Sequence, residues 1–260
     1  MTFHRYLALG DSFTEGVGDQ DDSRPNGVRG WADRVAEVLG TAAADFTYAN
    51  LAIRGRKLAQ VIDEQVTPAV ALEPDLITLY AGANDVLRPK VDIDRLIGIY
   101  DDGVGRLAAT GARLVLFTAY DTGGPNASGV FGALRGRFAI YNELVREIAE
   151  RHGTLLVDFW RMHELDDPRM WDVDRLHLST AGHQRVAIAV LDILGVAHGL
   201  QPPALEPLPT LSVRERRAAD AVWAKAYLGP WVRRRLTGTS SGDALSARRP
   251  VPAPIDQPAS

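Results

Sequence analysis

The amino-acid sequence predicts an α/β fold built on a five-stranded parallel sheet, and three observations support this prediction. Five short apolar runs rich in β-branched and aromatic residues recur along the chain. Amphipathic helical patterns separate them, and roughly 30–40 residues from one run to the next leave room for a crossover helix each time. Strands that are apolar on both faces are typical of a parallel sheet covered by helices on either side.

The five predicted strands are RYLAL (5–9), FTYANLA (46–52), DLITLYAG (75–82), ARLVLFTAY (112–120) and TLLVDFW (154–160). The predicted helices cover residues 30–40, 56–66, 93–110, 132–153 and 179–195. Apolar residues recur in these helices three and four positions apart, and a Ser/Thr cap opens the last one. In a doubly wound sheet, ligands bind beyond the carboxyl ends of the strands. The residues that follow each strand are therefore the candidates for function.

The composition excludes several classes of function. The 260 residues are 46% hydrophobic and 24% charged, which is typical of a globular protein. The formal net charge of −4 provides no overall basic field to favour nucleic acid. Cysteine is absent, which excludes disulfides, thiolate metal sites and cysteine catalysis. There is no apolar run of about 20 residues and no room for a signal sequence before the first strand, so we expect a cytoplasmic protein, with a mature secreted form as the alternative.

The chain changes character after about residue 200. Nine of its fifteen prolines lie within 201–260. Residues 212–238 predict one basic helix that breaks near Gly229 and Pro230. Residues 239–260 are rich in Ser, Pro, Ala and Gly, and we predict a disordered tail there. The predicted organisation is a domain at 1–200, a Pro-rich linker with a basic amphipathic helix at 201–238, and the tail at 239–260.

Polar residues and glycines follow the first three strands. The first strand runs into Gly-Asp-Ser at residues 10–12, where a serine at a strand-to-helix turn projects its hydroxyl above the sheet edge. By itself this triplet is equally typical of a plain turn or a phosphate cradle. Gly55 follows the second strand and either lets the backbone approach a ligand or simply starts a helix. Asn84 follows the third strand, and its amide either donates into the cleft or caps the next segment together with Asp85.

A carboxylate and a histidine follow the fifth strand. Asp174 and His177 are three residues apart in MWDVDRLHLSTAGH (170–183), directly before a capped helix. Such a short arc can turn the carboxylate onto Nδ1 while Nε2 faces the cleft, which is what the base of a serine nucleophile requires. No pair of histidines shows metal-ligand spacing with the carboxylates, and we predict no metal or organic cofactor. We interpret the remaining histidines as surface or packing residues: His4, His152, His163, His183 and His198.

These segments together resemble the four sequence blocks of the SGNH hydrolases, also called the GDSL esterase/lipase family. The residues that carry the resemblance are Gly-Asp-Ser at 10–12, Gly55, Gly-x-Asn-Asp at 82–85 and Asp174-x-x-His177. Their order and spacing match over about residues 5–195, with GDSF in place of GDSL. The resemblance implies a three-layer α/β/α fold with a five-stranded parallel, flavodoxin-like sheet, and residues 1–200 as the hydrolase domain.

The resemblance also implies a serine hydrolase that cleaves carboxylic esters through an acyl-enzyme. Ser12 is then the nucleophile, His177 the general base and Asp174 the carboxylate that orients it. The oxyanion hole is formed by the backbone N–H groups of Ser12 and Gly55 and by the side-chain amide of Asn84. A non-enzymatic flavodoxin-like module that binds a phosphate or another ligand is the alternative from another class of protein.

The loops beyond the strands contain candidates for substrate binding. Arg54 and Arg88 lie close in sequence to the predicted oxyanion donors and favour an anionic or carbohydrate-like substrate, or are only solvated surface residues. Trp171, with Met170 and Phe131, is a candidate for the wall of an apolar acyl pocket. We expect a short-chain acyl or acetyl ester, carried by a carbohydrate or a small metabolite. A lipase, lysophospholipase or thioesterase of the same family is the alternative.

The basic helix leaves two interpretations open. Seven basic residues outnumber two acidic ones, and Trp223, Tyr227 and Trp231 recur at a spacing of four on one stripe. The helix either docks on the domain, or residues 212–236 contact a membrane surface or a partner. Otherwise the expected partner is a small-molecule ester substrate, with no nucleic acid.

Overall fold

The computed structural model describes residues 2–121 and 129–255, without the side chains of residues 129–133, 235 and 236. In this part of the chain, six strands form one sheet in the order β5-β4-β3-β1-β2-β6. The strands are β1 (Arg5–Gly10), β2 (Thr47–Asn50), β3 (Leu76–Tyr80), β4 (Arg113–Phe117), β5 (Leu155–Val157) and β6 (Arg249–Ala253). Strands β1 to β5 pair in parallel at the positions that the sequence predicts, which confirms the α/β class. The sixth strand was not predicted and pairs antiparallel to β2.

Helices cover both faces of the sheet. They are α1 (Ser12–Glu15), α2 (Gly30–Ala42), α3 (Leu58–Val61), α4 (Thr67–Ala71), α5 (Ala83–Val86), α6 (Ile93–Ala108), α7 (Gly129–Arg151), α8 (Thr180–Leu194), α9 (Val213–Trp223) and α10 (Gly229–Thr237). Tyr6 and Ala8 of β1 pack with α2 and α8, while Leu7 and Leu9 pack on the other face with α3, α6 and α7. All four side chains are fully buried, and this alternation along β1 divides the core into two layers.

Two prolines lie inside helices that continue past them. Pro68 lies in α4, which a π turn (Ile62–Val66) joins to α3, and Pro230 lies in α10, which a π turn (Ala224–Leu228) joins to α9. A proline has no N–H, and its ring clashes with the carbonyl four residues earlier in a regular helix. In both helices that carbonyl lies within the wider π turn, which accommodates the ring. The basic helix therefore continues where the sequence predicts a break.

The C-terminal extension returns to the domain and contributes a buried ion pair. Arg248, directly before β6, places its guanidinium against the Asp33 carboxylate of α2, and both side chains are fully buried. It also donates to the backbone carbonyls of Val28 and Arg29. Burial opposes the charge of Arg248, but the Asp33 carboxylate and the Tyr48 side chain together raise the pKa of the guanidinium above its ordinary value.

The predicted disordered tail at 239–260 thus differs from the structure over residues 239–255, whereas residues 256–260 lie outside the described part of the chain. The prediction rested on a composition rich in Ser, Pro and Gly. Amino-acid composition alone cannot predict that Arg248 pairs with the buried Asp33 carboxylate, or that β6 adds a strand to the edge of the sheet.

Replacing Arg248 with methionine should lower the free energy of unfolding by about 3–5 kcal/mol, because the buried Asp33 loses the guanidinium that contacts it and keeps the more distant Arg249, whose Nε is 4.0 Å away. The matched control is Arg151→Met, because the Arg151 side chain pairs with Asp101 but is 54% exposed. For that exposed pair we expect a loss of at most about 1 kcal/mol. Urea unfolding followed by circular dichroism measures both variants, and equal losses would contradict a stabilising role of the extension.

Candidate active site

The turn after β1 carries Ser12 at the first position of α1. Asp11 caps this helix by accepting the N–H of Phe13 at 3.2 Å. Gln65 holds the preceding residue: its side-chain amide donates to the Gly10 carbonyl at 2.9 Å, and its Oε1 accepts the Gly10 N–H at 2.8 Å. These contacts fix the turn from both sides and leave Ser12 at the carboxyl edge of the sheet.

The side-chain amide of Asn84 faces the same turn. Asn84 belongs to α5, directly after β3, which is the neighbour of β1 in the sheet. Its Nδ2 donates to Asp11 Oδ2 at 3.0 Å and to the Arg56 carbonyl at 3.2 Å. Burial raises the pKa of the Asp11 carboxyl to about 7, against the lowering effect of the Phe13 N–H, the His177 charge and the Asn84 amide. Asp11 therefore both caps α1 and orients the Asn84 amide.

The loop after β2 reaches the Ser12 helix through an ion pair. Glu15, at the end of α1, is buried and accepts the Arg54 backbone N–H at 2.7 Å and the Arg54 guanidinium at 2.6 Å. Gly55 follows in the left-handed conformation, with a φ of 76°, and a side chain there would collide with the Ser240 hydroxyl of the extension. Among the described residues, neither the Ser12 N–H nor the Gly55 N–H donates a hydrogen bond. Unpaired backbone N–H groups near a nucleophile suit the stabilisation of an oxyanion.

Asp174 and His177 form a hydrogen-bonded pair in the loop before α8. The His177 Nδ1 lies 2.6 Å from Asp174 Oδ2, and Oδ1 accepts the backbone N–H groups of Leu176 and His177, both at 2.9 Å. Burial alone would raise the pKa of the Asp174 carboxyl, but the hydrogen bond and charge of His177 and the two N–H groups lower it below its usual value. An ionised Asp174 favours a proton on Nδ1, which leaves Nε2 as the acceptor.

The loop that carries this pair packs on the loop that follows Ser12. Gly18 has no room for a side chain, because a side chain would collide with the Leu178 carbonyl. The charge of His177 is also close enough to lower the pKa of Asp11. No hydrogen bond among the described residues joins the Ser12 hydroxyl to His177, and in enzymes without substrate such contacts are often long. The predicted catalytic and oxyanion residues therefore lie on adjoining segments at one edge of the sheet.

His183 lies one helical turn inside α8 and is fully buried. Its Nδ1 accepts the Trp31 N–H at 3.1 Å, and its Nε2 lies 3.1 Å from the Val17 carbonyl. Burial lowers the pKa of the imidazole to about 4, so the ring is neutral at neutral pH and Nε2 is the donor to that carbonyl. These contacts tie α2 to the loop after Ser12, which fits the interpretation of His183 as a packing residue.

The two candidate substrate-binding arginines have different surroundings. Arg54 is held by the buried Glu15, so its guanidinium supports the site from within the domain. Arg88 follows α5, and its Nε is buried without a hydrogen-bond partner among the described residues. Its charge lowers the pKa of Asp85, although burial leaves that carboxyl above its ordinary value. A substrate-binding role stays a prediction for both arginines.

Trp171 lies in the segment that also carries His177. Its Nε1 donates to the Leu165 carbonyl at 2.7 Å, and its ring packs on Tyr120 with 4.6 Å between ring centroids. Met170 is buried in the core, so its side chain belongs to the packing beneath this segment. The Phe131 side chain lies outside the described residues. Trp171 therefore remains the candidate of these three for contact with a substrate.

Within the described ranges, no group of three or more His, Asp or Glu side chains is arranged to hold a metal ion. None of the helices in this part of the chain combines the length and the apolar character needed to span a membrane.

Sequence reasoning gave no role at this edge to three residues that shape it. Glu15 lies one helical turn after the predicted nucleophile, and this position is the only feature of the sequence that indicates a role at the site. Gln65 is paired with Gly10 across 55 positions, and no local pattern announces such a contact. Trp223 of α9 donates from its Nε1 to the Asp174 carbonyl at 3.0 Å. The basic helix thus contacts the catalytic loop through one member of the predicted aromatic stripe, while docking on the domain and contact with a membrane or a partner both stay predictions.

The fold and the chemistry of this edge define the class of protein, a serine esterase or acylhydrolase. A sequence model of the GDSL-like lipase/acylhydrolase family matches residues 8–185, and the chain belongs to this family. It is therefore an ester hydrolase, and the alternative of a non-enzymatic binding module is set aside. The matched residues contain every predicted catalytic and oxyanion residue and end before the C-terminal extension.

Solved structures of esterases share this fold. LAE5, an α/β hydrolase enzyme from the metagenome of Lake Arreo in Spain, is 26% identical with a TM-score of 0.62, and the alignment covers 75% of this chain and 97% of LAE5. Axe2, an acetylxylan esterase from Geobacillus stearothermophilus, is 22% identical with a TM-score of 0.61 over 75% of this chain and 96% of Axe2. The psychrotrophic esterase EstA from Pseudoalteromonas sp. is 18% identical with a TM-score of 0.58 over 74% of this chain and 97% of EstA. No curated protein matched the sequence.

Proposed function

We propose that this ester hydrolase cleaves short-chain acyl esters, acetyl esters among them, of a carbohydrate or a small metabolite, with Ser12, His177 and Asp174 as its catalytic triad. The observation that carries the proposal is the contact of 2.6 Å between His177 Nδ1 and Asp174 Oδ2. This pair lies in a loop that packs directly on the loop after Ser12. A base oriented in this way beside a serine is what nucleophilic attack on an ester requires.

The proposed reaction begins with attack of the Ser12 oxygen on the ester carbonyl carbon, while His177 Nε2 accepts the hydroxyl proton. The resulting oxyanion accepts hydrogen bonds from the N–H groups of Ser12 and Gly55, with the Asn84 amide as the third donor. Collapse breaks the bond to the leaving alcohol, which takes the proton from Nε2. Water then repeats the sequence on acylated Ser12 and releases the carboxylic acid.

The preference for a short acyl group on a carbohydrate or small molecule is supported by two observations. Axe2 is an acetylxylan esterase, and its described catalytic mutants replace a serine, an aspartate and a histidine, the residue types proposed here. In this chain, the half-buried ring of Trp171, in the segment that carries His177, packs on Tyr120, and the two rings offer an apolar surface to the alcohol part of a substrate.

A chain-length series of p-nitrophenyl esters tests the proposed function, together with covalent labelling by a fluorophosphonate. We expect the highest kcat/KM for the acetyl ester and a label on Ser12. A preference for long acyl chains would instead indicate a lipase or lysophospholipase, and a preference for the matching thioesters a thioesterase. A wild-type protein that neither hydrolyses these esters nor takes the label at Ser12 would overturn the proposal.

Asn84→Ala should lower kcat by roughly 10²–10³-fold, the usual loss for one oxyanion donor. In the absence of substrate, both Asn84 N–H groups are directed at Asp11 and at the Arg56 carbonyl. We therefore expect the oxyanion to share one of them in the transition state, so that KM changes much less than kcat. Steady-state kinetics with p-nitrophenyl acetate separates the two constants, and a change in KM alone would contradict this role.

A further inference from the structure

Arg175 lies inside the catalytic loop, between the proposed carboxylate and base, and its backbone is strained. Its φ is 56°, in the left-handed region that residues with a side chain rarely adopt. The turn at this residue lets Asp174 Oδ1 accept the N–H groups of both Leu176 and His177, while Oδ2 reaches His177 Nδ1. Strained backbone persists only where its surroundings hold it, and it is concentrated at functional sites.

Helix α9 of the C-terminal extension holds this strained turn by three contacts. The Trp223 indole N–H donates to the Asp174 carbonyl at 3.0 Å. The Arg175 guanidinium lies over the Trp223 ring, 4.7 Å from its centroid, and donates to Asp220 Oδ1 at 2.8 Å. The side chains of Arg175 and Asp220 are 49% and 60% exposed, so their ion pair contributes little by itself. Trp223 is the residue that contacts both the backbone and the side chain of the turn.

The hydrogen bond from Trp223 fixes the peptide that joins Asp174 to Arg175. The orientation of this peptide sets the direction in which the Asp174 side chain leaves the backbone, and thus the alignment of the carboxylate with the imidazole. Misplacement of a catalytic group by about 1 Å can cost about 10²-fold in rate. Helix α9 lies outside residues 8–185, which match the family model. It nevertheless influences the alignment of the triad.

We propose that Trp223 is a positioning residue for the Asp174–His177 pair, and that α9 belongs to the catalytic apparatus through this residue. The proposal rests on the triad of the proposed function. The extension then contributes to turnover rather than to substrate binding, because Trp223 contacts the backbone carbonyl of Asp174.

The test compares Trp223→Phe, which keeps an aromatic ring and removes the indole N–H, with Tyr227→Phe, which removes a polar group from an exposed residue of the neighbouring π turn. For Trp223→Phe we expect kcat and the rate of fluorophosphonate labelling to fall roughly 10-fold, with KM within about twofold. The low-field proton resonance of His177 Nδ1–H should shift or broaden. For Tyr227→Phe we expect wild-type values in all three measurements.

Variants of Arg175 provide a second test that does not alter Trp223. Arg175→Ala removes the contacts of the guanidinium with the Trp223 ring and Asp220 and keeps the backbone strain, so kcat should fall several-fold. Arg175→Gly also removes these contacts, but glycine adopts the left-handed conformation without strain, so this variant should recover much of the lost kcat. Wild-type kcat and labelling in both Trp223→Phe and Arg175→Ala, with the wild-type enzyme active, would overturn the positioning role. Absence of labelling at Ser12 in the wild type would instead overturn the proposed function on which it rests.

Discussion

Ser12→Ala is expected to lower kcat for p-nitrophenyl acetate by roughly 10⁴–10⁶-fold, the range seen when a serine nucleophile is removed. The hydroxyl is the group that attacks the carbonyl, and alanine offers no atom to form the acyl-enzyme. The residual rate then reflects the oxyanion donors and substrate binding alone. Because Ser12 is half-buried and its hydroxyl forms no hydrogen bond among the described residues, alanine should leave the fold intact.

Ser23→Ala is the matched control for this experiment. Ser23 is exposed in the loop after α1, and its hydroxyl donates to Asp21 at 2.5 Å, without a histidine to activate it. We expect wild-type hydrolysis and full fluorophosphonate labelling for Ser23→Ala, and neither for Ser12→Ala. Thermal unfolding of both variants confirms that the fold is retained. Substantial turnover by a folded Ser12→Ala variant would show that another residue is the nucleophile.

The second large effect is expected for Asp174→Asn, which should lower kcat by roughly 10⁴-fold. Oδ1 of Asp174 accepts two backbone N–H groups, from Leu176 and His177. The oxygen of the asparagine amide should keep these two contacts, which directs its NH₂ group at His177 Nδ1. The imidazole then accepts at Nδ1 and carries its proton on Nε2, so it cannot take the proton of Ser12. The variant should therefore fold normally and bind substrate while failing to catalyse.

Asp192→Asn is the control for this change, because Asp192 also pairs with a histidine, His198, at 3.1 Å. That pair lies near the C-terminal end of α8, away from the catalytic edge, and its aspartate side chain is 65% exposed. We expect unchanged kcat and KM for Asp192→Asn. A comparable loss of kcat in both variants would contradict the role of Asp174 in orienting His177. So would an Asp174→Asn enzyme that retains most of its turnover.

The parallel sheet and the segments at its edge could be predicted because their signals are local. Each of the five parallel strands is a short apolar run; Ser12, Gly55 and Asn84 follow such runs within a few positions, and Asp174 and His177 follow the fifth strand after a longer connecting segment. Ser12, Asn84 and His177 could therefore be placed at one edge before any contact between them was known. The family resemblance added the roles of the backbone donors, which a sequence pattern alone does not distinguish from ordinary turns.

The missed features depend on contacts between distant parts of the chain. Arg248 pairs with Asp33, and Trp223 donates to the Asp174 carbonyl. Both contacts depend on the packing of distant segments and cannot be predicted from either segment alone. The position of Arg54 in the sequence does not reveal its pairing with Glu15, which emerges only when α1 and the loop after β2 meet, while its role in substrate binding stays a prediction. The π turns before Pro68 and Pro230 replace breaks that proline chemistry predicts, because a wider turn also accommodates the ring.

The sixth strand has a consequence for the behaviour of the protein in concentrated solution. Without β6, the outer N–H and C=O groups of β2 would lie open along the rim of the sheet, where another molecule could add a strand. Pro250 and Pro252 leave β6 without an N–H at two of its five positions, so the rim that it presents is a poor template for further pairing. The extension therefore shields the enzyme from self-association through strand addition, a hazard quite separate from catalysis.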